Sequence, residues 1–256
     1  MPEIVAIIQA RMSSTRLPGK VMLDLGGRTV LSRMVERVKQ SKLINRVVVA
    51  TTIDPMDNPI IQLCQQENID GFRGSLPDVL DRYYQAARLY KADIVVRLTG
   101  DCPLIDPDLI DQTLAALMAS DADFSCNRLP PPFGRTYPIG LDVEACTFAA
   151  LERAWHEATE KHDREHVLPY LYEVEGRFKV VKLDHTEDLG HLRWTLDTPE
   201  DYVLLSEVIN RLNDRNDFSW LEVLELFKRD PALAEINQAI QHKTMFDVEE
   251  HPPKEN

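Results

Sequence analysis

Arg11, Arg16 and Lys20 stand close together in Ala10-Arg11-Met12-Ser13-Ser14-Thr15-Arg16-Leu17-Pro18-Gly19-Lys20, and no carboxylate occurs between Ile4 and Leu23. The whole chain carries a formal net charge of -13, so this stretch is a positive pole built against the global field. Cations, hydroxyls and backbone N–H donors with no neighbouring acid suit a polyphosphate. The apolar run Ile4–Ile8 reads as a strand, and a loop at a strand's C-terminal end is where open α/β sheets bind ligands. The pattern departs from a Walker A loop: Ser14 stands where its first glycine belongs, and Val21 replaces the Ser/Thr after Gly19-Lys20.

Two carboxylates complete the chemistry. In Arg97-Leu-Thr-Gly-Asp-Cys-Pro-Leu-Ile-Asp-Pro107, Asp106 precedes a proline and reads as the N-cap of a helix through Leu109, Ile110, Leu114 and Leu117. Asp101 has no such duty. It follows the short strand begun by Asp93-Ile-Val-Val, and a carboxylate there, beside a phosphate loop, suits a Mg2+ ligand. In Arg193-Trp-Thr-Leu-Asp-Thr-Pro-Glu-Asp-Tyr202, Thr198 reads as an N-cap, Pro199 fits the first turn and Asp201 has capping-box spacing. Capping leaves Asp197 unexplained.

Together, Ala10-Arg-x-x-Ser-x-Arg-Leu-Pro-Gly-Lys20, the Gly-Asp-x-Pro turn at Asp101 and Asp197-Thr-Pro-Glu-Asp201 resemble the cytidylyltransferases that make CMP-activated ulosonic acids. The spore-coat polysaccharide branch is most similar in style, and CMP-Kdo and CMP-sialic acid synthetases are related. The resemblance implies that the backbone around Ala10 and Ser14 meets the base and phosphates of CTP, with Arg11, Arg16 and Lys20 facing the triphosphate. It further implies that Asp101 and Asp197 bind one Mg2+, and that Arg11, Lys20 and both aspartates are the catalytic set.

Two more segments bear on specificity. In Phe72-Arg73-Gly74-Ser75-Leu-Pro-Asp78, Ser75 and Asp78 have capping-box spacing, whereas Arg73 is not needed for capping. Its place resembles the family segment that approaches the base and ribose. Tyr137-Pro-Ile-Gly140-Leu-Asp142-Val-Glu144 alternates polar and apolar residues as a half-exposed strand does. A similar Gly-x-Asp-x-Glu stretch followed by Arg-Glu-His-Val, here Arg164–Val167, marks the spore-coat branch. Asp142, Glu144, Glu165 and His166 are therefore the expected sugar-side residues.

These residues need elements to position them. Apolar runs at Ile4–Ile8, Val47–Ala50, Ile94–Leu98 and Val180–Leu183 alternate with helical patterns. The helices are marked by Val30, Leu31, Met34, Val35 and Val38 and by segments of about 77–90, 106–119, 146–158 and 199–212. Such alternation predicts an α/β fold, a Rossmann-like three-layer sandwich with a mostly parallel sheet. The resemblance makes it a GT-A-like nucleotidyltransferase fold. With 256 residues, 44% of them hydrophobic, the chain is expected to form one domain over 1–240, with a lid or insertion around 127–145 at the proline-rich Leu129–Pro138, and an extended tail over 241–256. Leu204, Val208 and Leu224 either pack inward or form the seam of a homodimer.

Composition excludes several classes. No stretch approaches the ~20 apolar residues of a membrane span, and Glu3 opposes a signal peptide, which predicts a soluble cytoplasmic protein. Cysteines 64, 102, 126 and 146 have neither zinc nor disulfide spacing. His185 and His191, flanking Glu187 and Asp188, match no zinc pattern and read as a solvated loop. The acidic balance excludes nucleic acid as a partner.

The expected reaction is attack by a sugar acid's hydroxyl on the α-phosphorus of CTP with loss of pyrophosphate. A sugar-1-phosphate nucleotidyltransferase, a GT-A glycosyltransferase and a nucleotide-binding protein without turnover remain the alternatives. Two bare carboxylates at 101 and 197 would repel, so Asn at either is expected to leave stability unchanged or slightly raised.

Overall fold

In a computed structural model the chain is described over residues 2–129 and 134–241. Its first half alternates β1 (Ile4–Gln9), α1 (Val30–Val38), β2 (Arg46–Thr52), α2 (Asn58–Gln66), β3 (Asp70–Gly74), α3 (Val79–Leu89), β4 (Ile94–Thr99) and α4 (Pro107–Ser120). There follow β5 (Phe124–Cys126), β6 (Glu144–Thr147), α5 (Phe148–Glu157), α6 (Lys161–His166), α7 (Pro169–Tyr172) and β7 (Val180–Lys182), and then α8 (Pro199–Arg211), α9 (Trp220–Arg229) and α10 (Ala232–Glu235).

The seven strands form one sheet in the order β3-β2-β1-β4-β6-β5-β7. All neighbours run parallel except β6, which is antiparallel to both β4 and β5. Strand alternation sorts residues between the two faces. Ile4, Ala6 and Ile8 of β1 join Val47 and Val49 of β2 and Val96 and Leu98 of β4 in one core, under α1, α2, α4, α8 and α9. Val5, Ile7, Val48, Ala50 and Val95 face the opposite core with α3, α5 and α7. Both faces are covered, so these strands read as continuous apolar runs. Each of the Val, Leu and Ile side chains contributes roughly 1.5–3 kcal/mol on burial.

The chain leaves β1 toward β2 and β3 on one side and returns to β4 on the other. The crevice beyond the C-terminal ends of β1 and β4 is therefore the topological switch point of the sheet. Gly100 N–H donates to the Gln9 carbonyl at 2.8 Å, keeping the two strand ends together. A Cβ at 100 would lie 3.0 Å from that oxygen and 3.1 Å from Ala10 Cβ.

The capping assignments at Asp106 and at Thr198 with Asp201 hold. At α3 the structure differs: Asp78 itself caps, accepting from Asp81 N–H, while Ser75 Oγ accepts from Asp78 N–H one turn earlier. Residues 137–143 are not a strand with a wet face. The strand starts at Glu144 and pairs on both edges, and Tyr137, Leu141 and Val143 are buried. Leu204, Val208 and Leu224 pack in the core, at 1%, 0% and 6% exposure. Of the expected lid, Arg128 and Arg135 bridge its base, and residues 130–133 lie outside the described ones, as do 242–256 of the expected tail. Among the described residues, no helix is long and apolar enough to cross a membrane.

Candidate active site

The loop after β1 is held by its own backbone and by one acid. Ser14 N–H and Gly19 N–H both donate to the Met12 carbonyl, at 3.0 and 2.9 Å. Gly19 adopts φ +70°, a left-handed conformation that suits glycine, and this turns Lys20 inward at the head of a short 3-10 turn. Asp57, 2% exposed, accepts from Met12 N–H at 2.7 Å through one oxygen and from Thr52 N–H and Oγ1 through the other. Asp57 thus fastens the loop to the end of β2. The sequence reading missed it, although Asp54-Pro55-Met56-Asp57 directly after β2 was a visible turn signal.

Arg73 serves the same turn. Its guanidinium donates to the carbonyls of Thr52 and Asp54, at 2.8 and 2.6 Å, and to Asn58 Oδ1 at 2.8 Å. These bonds make Arg73 a support of the Asp57 turn. Arg82 was also missed. It is 3% exposed, it donates to the Ser75 carbonyl at 3.0 Å, and its buried Nε has no partner. Burial, with the Arg11 charge adding to it, lowers the Arg82 pKa, so Arg82 and Arg11 share one electropositive region beside Asp57.

At the centre, Lys20 Nζ lies 2.6 Å from Asp101 Oδ2 and 2.7 Å from Asp197 Oδ1. The two aspartates therefore converge as the sequence suggested, but an ammonium stands between them. Arg16 and Arg193 reach the other oxygen of Asp197, at 2.9 and 2.7 Å. Arg193 also pairs with Asp201 at 2.9 Å, and Asn237 Nδ2 donates to Asp201 at 2.8 Å. Asp201 has two duties: it closes the capping box of α8 and it orients Arg193 against Asp197. Neither Arg193 nor Asn237 was singled out from sequence.

Burial by itself would lower the Lys20 pKa, but the charges of Asp101 and Asp197 outweigh it and push the value up to about 12. Burial opposes ionisation of Asp197, yet Lys20, Arg16 and Arg193 hold its carboxyl well below the usual range. The expectation that Asn at 101 or 197 would relieve repulsion is thereby overturned: these carboxylates are attracted to cations, not left facing each other. Cys102, beside Asp101, is buried, and burial raises its thiol pKa well above normal, which fits a packing residue.

On the sugar side the four expected residues separate. Glu144 is 3% exposed and pairs with Arg97 directly across the β4–β6 ladder. The strand buries it and commits its carboxylate to an internal ion pair. Asp142 is forked by Arg135 at 3.0 and 3.2 Å and lies 3.3 Å from Arg128 Nε. The Asp142 charge also helps raise the Cys102 pKa, so it lies near the Asp101 loop. Glu165 and His166 are half-buried at the end of α6. Directly after them Val167 adopts φ +76° and ψ -57°, with Leu168 N–H donating to the His166 carbonyl at 3.0 Å. This is a γ-turn, strained for a β-branched residue.

A cationic loop at the switch point of a doubly wound sheet, with two carboxylates converging on it, defines a nucleotidyltransferase of the α/β class. The cytidylyltransferase family model matches residues 5–230, and the chain belongs to that family. An uncharacterized protein of Methanocaldococcus jannaschii is 39% identical over 97% of this chain and 100% of its own length. The spore coat polysaccharide biosynthesis protein SpsF of Bacillus subtilis is 34% identical, covering 93% of this chain and 100% of its own. A 3-deoxy-manno-octulosonate cytidylyltransferase of Polynucleobacter asymbioticus is 40% identical over 80% of this chain and 77% of its own. The structure of a cytidylyltransferase from Leptospira borgpetersenii superposes with a TM-score of 0.87 at 37% identity, over 94% of this chain and 100% of that one.

Proposed function

We infer that this enzyme transfers CMP from CTP to a 3-deoxy-2-keto sugar acid, with release of pyrophosphate, for surface polysaccharide synthesis. The observation that carries this reading is Lys20 held between Asp101 and Asp197 at the mouth of the phosphate loop. The family supplies the cytidylyl group, and the relatives named for polysaccharide and octulosonate chemistry supply the acceptor class.

The loop backbone around Ala10 and Ser14, with Arg11 and Arg16, receives the triphosphate. Lys20, drawn to the incoming phosphates, leaves the carboxylates and neutralises charge on the departing pyrophosphate. Asp101 and Asp197 then present two hard oxygen donors to one point, a donor set that fits Mg2+ once Lys20 has moved. Bound there, the ion supplies charge neutralisation and Lewis acidity at the α-phosphoryl group. Arg193 and Asp201 keep Asp197 aimed at that point. The sugar hydroxyl attacks the α-phosphorus in line, with Asp142, Glu165 and His166 on the acceptor side. Arg73 and Glu144 act indirectly, through the Asp57 turn and the Arg97 pair.

Pyrophosphate release measured for four nucleoside triphosphates against ulosonic acids and sugar 1-phosphates tests this. CTP with an ulosonic acid is expected to give the fastest turnover. Equal or better turnover with UTP, GTP or a sugar 1-phosphate refutes the assignment.

A further inference from the structure

His162, Asp163 and Glu173 bring one ligand atom each to within 4.8 Å of the others. His162 and Asp163 lie in the first turns of α6, and Glu173 is the residue after α7, so the strained turn at Val167 folds the two short helices onto one another. His162 Nε2 is 3.0 Å from Glu173 Oε2 and 3.7 Å from Asp163 Oδ1. Side-chain exposures are 28% for His162 and Glu173 and 7% for Asp163, which leaves the cluster reachable from one side.

Asp163 shows that the grouping is more than acidic surface. The residue is 5% exposed, and its buried Oδ1 has no hydrogen-bond partner while it points toward the His162 ring. A buried carboxylate oxygen left unmatched carries an uncompensated desolvation penalty, and a cation at the centre of the three donors would satisfy it. The surrounding charge favours a cation too. Glu160 adds a further carboxylate near Asp163 and His162. Arg177, the nearby positive group, is turned onto the Tyr170 ring, 3.9 Å from its centroid, and onto the Tyr170 carbonyl at 3.1 Å.

We propose that His162, Asp163 and Glu173 form a divalent transition-metal site of the zinc class, separate from the Lys20 centre, that clamps α6 to the end of α7. One imidazole and two carboxylates suit Zn2+, whereas Mg2+ takes oxygen ligands and retains its waters. α6 packs on α3, to which Arg164 ties it through Asp78 at 2.6 Å. The clamp therefore holds the segment bearing Glu165 and His166.

The test uses the full chain, stripped with chelator, carrying Asp101→Asn and Asp197→Asn so that the phosphate-loop carboxylates do not compete. Titration calorimetry is expected to show saturable Zn2+ binding that Mg2+ in excess does not displace, and Co2+ is expected to develop visible absorption bands. Adding His162→Gln or Glu173→Gln is expected to weaken Zn2+ binding by at least about tenfold, the range that even outer-shell partners command, and His162→Gln is expected to alter the Co2+ bands. His162 and Glu173 are partly exposed, so both variants are expected to keep wild-type circular dichroism. Absence of saturable Zn2+ binding, or affinity unchanged in both added variants, overturns the proposal.

Discussion

Leu196 donates its backbone N–H to the Asp101 carbonyl at 2.8 Å, so the turn after β4 and the approach to α8 are bonded one residue away from Asp197. Thr195 Oγ1 adds a second bond to the same carbonyl at 3.2 Å. Two carboxylates far apart in sequence thereby share one cation, and that arrangement organises what the site should do when it is perturbed.

Lys20→Met removes the cation that both carboxylates use. Turnover and CTP affinity are expected to fall by about 1.5–3 kcal/mol each, as for a lost charge-assisted phosphate contact. The free enzyme should also lose thermal stability, and Mg2+ should restore more of it in the variant than it adds to the wild type. Differential scanning fluorimetry with and without Mg2+ reads this directly, and equal Mg2+ shifts in the two proteins would show that Lys20 does not stand in the metal's place.

Asp101→Asn and Asp197→Asn are each expected to lower turnover by about a hundredfold or more. Both act at one point, so the double variant should be little worse than the worse single one. Their stabilities should differ. Asp197 faces Lys20, Arg16 and Arg193, so its replacement is expected to cost about 1–3 kcal/mol, more than that of Asp101. Urea denaturation and steady-state rates for the three variants check both statements; strictly additive rate losses would separate the two residues.

The Asp197 carboxyl is held below its unfolded value of about 3.9, so its stabilising contribution is present above that pH and is lost as pH falls toward the folded value. Lys20 is the converse: its contribution is complete below about 10.4 and is lost as pH rises through about 12. The stability gap between wild type and Asp197→Asn should therefore be flat from neutral pH to about 5 and narrow below about 4. Urea midpoints across pH 2.5–8 measure the gap, and a constant gap over that range would contradict the assigned pairing.

Gly140 adopts φ +103°, and a Cβ there would stand 2.6 Å from the Trp194 carbonyl carbon. Gly140→Ala is expected to cost more than the roughly 1–3 kcal/mol of backbone strain alone, since it also displaces the segment leading to Asp197. Gly27, at φ +76° with nothing within 4 Å, is the control: its alanine variant should show strain only, with normal turnover. Comparable losses in both would remove the steric argument.

Much of this protein was legible in its residues because the relevant forces are local. The apolar run Ile4–Ile8, the helix start at Asp106-Pro107 and the capping spacing from Thr198 to Asp201 each rest on contacts within a few positions, and each stands where expected. Asp101 and Asp197 were singled out by elimination, since capping accounted for their neighbours but not for them. Neighbouring residues did not show the contacts that depend on distant partners. Residues 137–143 alternate like a strand, but the register of β6 against both β4 and β5 begins only at Glu144, and it buries that carboxylate against Arg97. Arg73 looked free because the carbonyls it binds belong to the turn after β2.

The sequence by itself determined the doubly wound α/β order, the cationic loop and the two candidate carboxylates, because periodicity, caps and local charge are written in neighbouring residues. Only the tertiary structure decided that Lys20 fills the point between Asp101 and Asp197, that Asp57 and Asp201 support the loop and the acid, and that Glu144 is withdrawn into the sheet. The contacts of Lys20 with both carboxylates, of Met12 with Asp57 and of Arg97 with Glu144 span tens to nearly two hundred positions, whereas Asp201 meets Arg193 and Asp197 within eight, and Coulomb and hydrogen-bond energies depend on separation in space, which the chain acquires only when the sheet is assembled.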